Sequence, residues 1–404
     1  MKVVFVHIVI GVTPAYSHAI ASLAAVVCQA HHEVDLVVVR SNDFDKYAKI
    51  ILDTKPDVVC ISVKSNQWPS ACTLVKTLKT YSREIPVWIG GSHIIANPLS
   101  FSDSDFDAAC YGEGENLLPL ALNSLKNGEL FHNESWLTRG SHLLPVSSIV
   151  EDLDKLPLPK IEIFDRDDVL NYPSVIFSRG CPFGCTFCMS RLGGLGGKVR
   201  WKSVSRAVAE TRRLKELFQP NEIYIDDDTF LKNPKWVKEF LQQYRQEVKL
   251  PFYCNARPEV VNSQICDILA RSGCEAIGIG IESGSEKIRT EKLGRPMSNR
   301  QILNAFNTAH SAGLKTWSFN MVGIPGETID DFIETVKLNE ECKSDYVRLS
   351  VYTPYPGTPL GDSMGLMAMP RSYFDGMNLL SESLRNKVEN WIEILRNQGR
   401  LWNG

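Results

Sequence analysis

The stretch SVIFSRGCPFGCTFC, Ser174 to Cys188, decides the reading of this chain. A strand-like apolar run, Ser174 to Ser178, leads into a loop that holds Cys181, Cys185 and Cys188 within eight residues. Gly180, Pro182 and Gly184 bend that loop, so the three side chains can converge on one centre. Thiolates suit iron–sulfur clusters, whose usual complement is four, and three from one loop leave one iron open to an exogenous ligand. A structural zinc ion would normally need a fourth Cys or His at its own spacing, and none is adjacent. Zinc and ordinary free thiols stand as the alternatives.

Working outward, strand candidates recur at Glu222 to Ile225, Phe252 to Asn255, Ile277 to Ile281, Lys315 to Asn320 and Tyr346 to Val351. Helical patterns at Ser205 to Phe218, Glu259 to Ser272, Asn299 to Ala312 and Ile329 to Glu341 separate them. Six such units predict a partial, TIM-like (β/α)6 barrel over residues 173–360, with functional groups just after the strands. Upstream, residues 1–130 alternate apolar runs (Val3 to Val6, Val34 to Val39, Asp57 to Val63, Pro86 to Ile89) with helical patterns such as Ala19 to Ala30 and Pro69 to Tyr81. This predicts a second α/β domain, a doubly wound, Rossmann-like parallel sheet. Its strand ends would carry Ser62, Ser65, Gly90-Gly91-Ser92-His93 and Tyr111-Gly112-Glu113-Gly114-Glu115. Residues 131–172, with the two prolines of LDKLPLPK, read as a linker, and 361–404 as a short helical tail ending in an amphipathic helix, Glu382 to Leu401.

With 404 residues, 44% of them hydrophobic, the chain can bury a large core. A formal net charge of -3 provides no broad attraction to phosphate backbones or anionic membranes, so nucleic acid is not favoured as a partner. No apolar run approaches the roughly 18 residues of a membrane span. The opening MKVVFVHIVIG has neither a basic n-region nor a small-residue cleavage site and reads as the first buried strand of a cytoplasmic protein. Eleven cysteines in a chain too large to need disulfide staples point to a reducing compartment and metal chemistry.

The second, third and fourth barrel strands are followed by charged residues, and the fifth and sixth by turns. Asp226, Asp227 and Asp228 stand together in IDDDTF, where mutual repulsion calls for a cation or donors, or for a solvated helix start. Arg257 follows the third strand, Glu282 and Ser283 the fourth, with Lys292 and Arg295 beyond. NMVGIPGET and YTPYPGTPL follow the fifth and sixth as turn-rich segments.

CPFGCTFC resembles the CxxxCxxC signature of radical S-adenosylmethionine (SAM) enzymes, including the aromatic Phe187 before the last cysteine. That resemblance, reinforced by IDDDTF, IGIGIESGSE, NMVGIPGET and YTPYPGTPL in order, implies a 4Fe-4S cluster on Cys181, Cys185 and Cys188. It further implies SAM on the open iron, cleaved reductively to a 5'-deoxyadenosyl radical. Phe187 would lie near the adenine, Asp226, Asp227 and Asp228 near the amino group, Glu282 or Ser283 in hydrogen bond to the cofactor, and Arg257, Lys292 or Arg295 facing its carboxylate or ribose. The first 130 residues resemble the cobalamin-binding domain of one branch of that family, which would put Ser62, Gly90, Gly91, His93, Gly112 and Glu113 against cobalamin. The chain lacks the Asp-x-His-x-x-Gly string that provides a histidine to cobalt in the other major type of cobalamin protein.

The resulting expectation is a cobalamin-dependent radical methyltransferase that methylates an unactivated carbon of a small molecule, served by an electron donor such as flavodoxin or ferredoxin. The alternatives are a non-methylating radical SAM enzyme with a ligand-free first domain, and a non-catalytic iron–sulfur binding protein.

Overall fold

The computed structural model describes residues 1–10, 15–140, 145–194, 197–365, 377 and 380–401. The chain divides into two compact units: Met1–Tyr172 with Met189–Lys202 and Tyr355–Gly357, and Pro173–Cys188 with Ser203–Pro354 and Thr358–Gly404.

In the first unit, strands β1 (Lys2–Ile8), β2 (Glu33–Val39), β3 (Val58–Ser62), β4 (Val87–Gly90), β5 (Ala108–Cys110) and β6 (Trp136–Thr138) form one sheet. Its order is β2-β1-β3-β4-β5-β6, parallel except for β6, which runs against β5. Helices α1 (His18–Gln29), α2 (Phe44–Asp53), α3 (Trp68–Tyr81), α4 (Ser92–Ala96), α5 (Leu118–Lys126) and α6 (Arg166–Asn171) complete it. Strand β1 is buried from Val3 to Ile8, as expected of a central parallel strand covered on both faces. The winding reverses beside β1, and a crevice at such a switch point is where doubly wound sheets bind ligands. The 131–172 stretch contributes β6 and α6, and its Val150, Leu153 and Leu156 pack on Val26 of α1. Two prolines do not keep it free, because Lys160 donates its N–H to Ala21 O at 2.9 Å.

The second unit is a six-stranded, wholly parallel sheet of β7 (Ser174–Val175), β8 (Ile223–Ile225), β9 (Phe252–Ala256), β10 (Cys274–Glu282), β11 (Lys315–Val322) and β12 (Tyr346–Val351). These lie in sequence order from edge to edge, the partial-barrel arrangement. Between and after them come α7 (Val204–Phe218), α8 (Pro234–Glu247), α9 (Ser263–Arg271), α10 (Asn299–Ser311), α11 (Ile329–Glu341), α12 (Pro359–Asp362) and α13 (Glu382–Asn397). Cys254 neighbours Cys274 and, on α9, Cys266, so its face of the sheet packs on helices. Side chains alternate along a strand, which puts Tyr224, Tyr253 and Asn255 on the inner face. There Tyr224, Tyr253 and Trp317 pack as three near-parallel rings, Tyr253 with its centroid 5.0 Å from each of the others and those two 6.3 Å apart. In α13, Leu384, Val388, Trp391 and Leu395 cover Phe332 and Val347. The rest of the expected helical tail, 366–376, 378–379 and 402–404, lies outside the described residues. Among the described residues no helix is long and apolar enough to cross a membrane.

Candidate active site

The cysteine loop leaves β7 and is pinned from three directions within the second unit. Asp227, 1% exposed, accepts hydrogen bonds from the N–H groups of Phe177 and Ser178 and from the Ser178 hydroxyl. Thr186 donates its N–H to Leu293 O at 3.1 Å and its hydroxyl to Lys292 O, and its own carbonyl accepts from Leu360 N at 3.0 Å. Gly294, at φ +62°, has Gly184 O so close that a Cβ would sit 2.9 Å from it. Cys188 N closes the turn on Cys185 O at 3.3 Å.

Cys185 is buried, and Cys181 and Cys188 are half-buried. Burial pushes the Cys181 thiol up, the Phe183 backbone N–H opposes this, and the nearby Asp228, Cys188 and Cys185 add to the rise. The three sulfurs and one carboxylate thus share a neighbourhood, and a bound cation reverses such a shift. Among the described residues no three His, Cys, Asp or Glu side chains come together as ligands of one metal ion. A cubane makes no such demand, since each of its cysteines binds a separate iron. The residues fit a cluster on a further count. Arg257 Nη1 donates to Cys185 Sγ at 3.1 Å and Arg295 Nη1 approaches the same sulfur at 4.0 Å, so two guanidinium groups face the most buried of the three cysteines.

Arg295, 4% exposed, also donates to Gly280 O at 2.7 Å and lies 3.6 Å from Glu282 Oε1. Its Nε and the Nε of Arg257 are buried without a hydrogen-bond partner. Glu282 sits at φ +68°, a left-handed conformation unusual for a glutamate, where the register between β10 and β11 shifts. The irregularity turns its carboxylate back over Gly280, whose Cβ position lies 2.6 Å from Glu282 Oε1. Strain of this kind concentrates at ligand sites. Burial raises the Glu282 pKa, and Arg295 and then Arg257 counter the rise. Ser283 is fully buried in a turn, its hydroxyl accepting from Ser285 N and its carbonyl from Arg289.

Of the other predicted groups, Phe187 packs on Ile288, Leu293, Ile324, Tyr352 and Leu360, an apolar wall beside the loop. Asp226 is half-buried and Asp228 exposed near Cys181. Asp227 is occupied with the loop's backbone, which accounts for one of three adjacent carboxylates without any ligand. Sequence reasoning missed three features. The Arg257–Cys185 contact joins residues far apart in the chain and has no local signature. Phe183 lies under Arg257, whose Cζ is 3.8 Å from the ring centroid. Glu327 caps the GIPGE turn through Gly323 N at 2.6 Å, and burial pushes its carboxyl up to about 7. That carboxylate was visible in the motif, but its burial was not.

In the first unit, Ser62, Gly90 and Gly91 are half-buried at the carboxyl ends of β3 and β4. These small residues leave the strand ends low, which suits a broad planar ligand. His93 is 5% exposed and stacked on Trp68, with Nδ1 and Nε2 bonded to the hydroxyls of Ser65 and Ser100 at 3.0 and 3.1 Å. Burial lowers its pKa to about 4. Both ring nitrogens are thus engaged within the domain. Glu113 makes a two-pronged, buried pair with Arg200 at 2.7 and 2.8 Å, and Gly112 (φ +107°) lies against Ser148. Both hold the segment around Val150 in place.

Together, fold and site define an iron–sulfur α/β-barrel protein with a separate doubly wound domain. The family model described as the Radical SAM superfamily matches residues 175–338, and that described as the B12 binding domain matches residues 7–122. An uncharacterized methyltransferase of Pyrococcus horikoshii is 29% identical over 357 residues, 84% of this chain and 76% of that protein. Hopanoid C-3 methylase of Methylococcus capsulatus is 25% identical, over 93% of this chain and 74% of that protein. Among solved structures, the radical SAM methyltransferase TsrM of Kitasatospora setae, with cobalamin and a 4Fe-4S cluster bound, shares the fold at a TM-score of 0.74. The match covers 89% of this chain and 77% of that one at 15% identity. The chain thus carries a radical SAM domain at residues 175–338, preceded by a B12-binding domain at residues 7–122.

Proposed function

We propose that this protein is a cobalamin-dependent radical SAM methyltransferase acting on an unactivated carbon of a small molecule. The observation that carries the reading is the pairing, in one chain, of a B12-binding domain with a cysteine loop whose central sulfur faces two guanidinium groups. When bound, the cluster and SAM supply a 5'-deoxyadenosyl radical, and cobalamin supplies a methyl carrier.

Within the second unit, Cys181, Cys185 and Cys188 would hold the cluster. Glu282, at the end of β10, and Arg295, which reaches it from beyond the strand at 3.6 Å, suit the amino and carboxylate groups of SAM. Phe187 and the wall around Ile324 suit its adenine. Glu282 is already held in a strained conformation by the β10 irregularity, so its carboxylate need not reorganise to meet a cation. Ser62, Gly90 and Gly91 suit cobalamin at the sheet's switch point, and the engagement of both His93 nitrogens favours cobalamin held without a protein histidine on cobalt. An electron donor such as flavodoxin or ferredoxin, in a cytoplasmic setting, completes the proposal.

Protein produced in cobalamin-replete cells and reconstituted anaerobically should contain about four irons and one cobalt per chain. Cys185→Ala should abolish the iron without abolishing the cobalt. With a reductant, SAM and substrate, S-adenosylhomocysteine and 5'-deoxyadenosine should both form. Formation of 5'-deoxyadenosine alone, by cobalt-free protein, would favour non-methylating chemistry.

A further inference from the structure

The second unit carries a device beside Cys185 that the assigned cofactor roles do not require. Arg257 follows β9 and lays its guanidinium on the Phe183 ring, Cζ 3.8 Å from the centroid. Phe183 belongs to the cysteine loop itself, between Cys181 and Cys185. From that platform Nη1 donates to Cys185 Sγ at 3.1 Å and Nη2 donates to Glu259 Oε1 at 2.6 Å. The Arg257 side chain is 11% exposed, so solvent screens the contact little. The ring fixes the guanidinium plane, and the carboxylate fixes its rotation.

We infer that Arg257 is a positioning residue that sets the reduction potential of the cluster through its hydrogen bond to Cys185, with Phe183 and Glu259 holding it in place. The inference rests on the cluster assignment made above. One-electron reduction takes the cluster from its 2+ to its 1+ state, the electron coming from an external donor, with no bond made or broken in the protein. The added negative charge is shared by the cysteine sulfurs. A cation donating to one of them stabilises the reduced form more than the oxidised form and so raises the potential. Glu259, 2.6 Å from the same guanidinium, offsets part of that charge and works in the opposite direction. Arg295, 4.0 Å from the sulfur and turned mainly to Gly280 O, makes a smaller contribution.

The test is a mediated redox titration of the reconstituted protein without SAM, using titanium(III) citrate and following the EPR signal of the 1+ cluster. Arg257→Gln should move the midpoint to more negative potential, with about a tenfold lower ratio of reduced to oxidised cluster at fixed potential, 59 mV for one electron. Arg257→Lys should fall between, and Glu259→Gln should move the midpoint the other way. A purely structural role would lower the iron content of each variant and leave the midpoint of the remaining clusters unchanged, and Arg257→Gln titrating with the wild type overturns the inference. Should Arg257→Gln hold no cluster, Glu259→Gln decides: a positive shift supports the inference and an unchanged midpoint overturns it. Failure of the wild type itself to take up about four irons would instead reject the cluster assignment.

Discussion

Ser178 donates both its backbone N–H and its hydroxyl to one carboxylate oxygen of Asp227, each at 2.5 Å. This ties the end of β8 to the residues that lead into the cysteine loop. Asp227→Ala would leave the N–H groups of Phe177 and Ser178 buried without acceptors, at about 1–3 kcal/mol each. The variant should lose roughly 2–6 kcal/mol of stability in denaturant unfolding, and iron uptake should fall with it. Asp228→Ala, on the exposed neighbour, should change stability by less than about 0.5 kcal/mol.

The packing of β10 against α11 depends on Gly284. A Cβ there would lie 2.2 Å from Glu334 O, and the Gly284 N–H donates to Thr335 Oγ1 at 2.7 Å. Backbone on both sides leaves no flexible atom to give way. Gly284→Ala should therefore cost about 1–3 kcal/mol, read as a lower thermal midpoint.

Glu327 makes stability depend on pH. Burial raises its carboxyl from 4.5 to about 7, partly offset by the N–H groups of Gly323 and Ile324, while Asp331 raises it further. A group whose pKa is higher in the folded state contributes fully below its unfolded pKa and loses that contribution as pH rises through the folded value. The thermal midpoint should accordingly fall between about pH 5 and pH 8, a loss of about 3 kcal/mol at most. Glu327→Gln should flatten that dependence, and an equally steep profile in the variant would count against the assignment.

In the first unit, Glu113 and Arg200 form a buried pair, the side chains 11% and 5% exposed. Removing one partner strands the other charge in a poorly solvated site. Arg200→Ala should destabilise the protein by about 3–5 kcal/mol, whereas a double replacement by apolar residues should recover much of the loss. A double-mutant cycle on unfolding midpoints checks this directly.

Much of this was legible in the chain. The three cysteines lie within eight residues, and covalent spacing alone brings their sulfurs near one point. The alternation of apolar runs and helical patterns specified two parallel sheets, because each run can bury itself only against its neighbours. The order of the motifs specified which strand ends carry charge. What each charge meets was not legible. Asp226, Asp227 and Asp228 look alike in sequence, yet Asp227 is the buried one, its carboxylate accepting from Phe177 and Ser178. Arg257 read as one of three bases that could meet SAM, with Lys292 and Arg295; that it lies on Phe183 and Cys185, a contact spanning 72 positions, was not visible. His93 and Glu113 read as groups facing cobalamin, and both are engaged with residues of their own unit.

Local spacing and periodicity thus determined the cysteine loop, the two sheets and the strand ends, since these depend on neighbours in the chain. Tertiary structure decided the partner of each buried charge. A desolvated guanidinium or carboxylate must find its counterpart wherever the folded backbone brings one within reach, and that reach is a property of the folded sheet and not of the sequence around it.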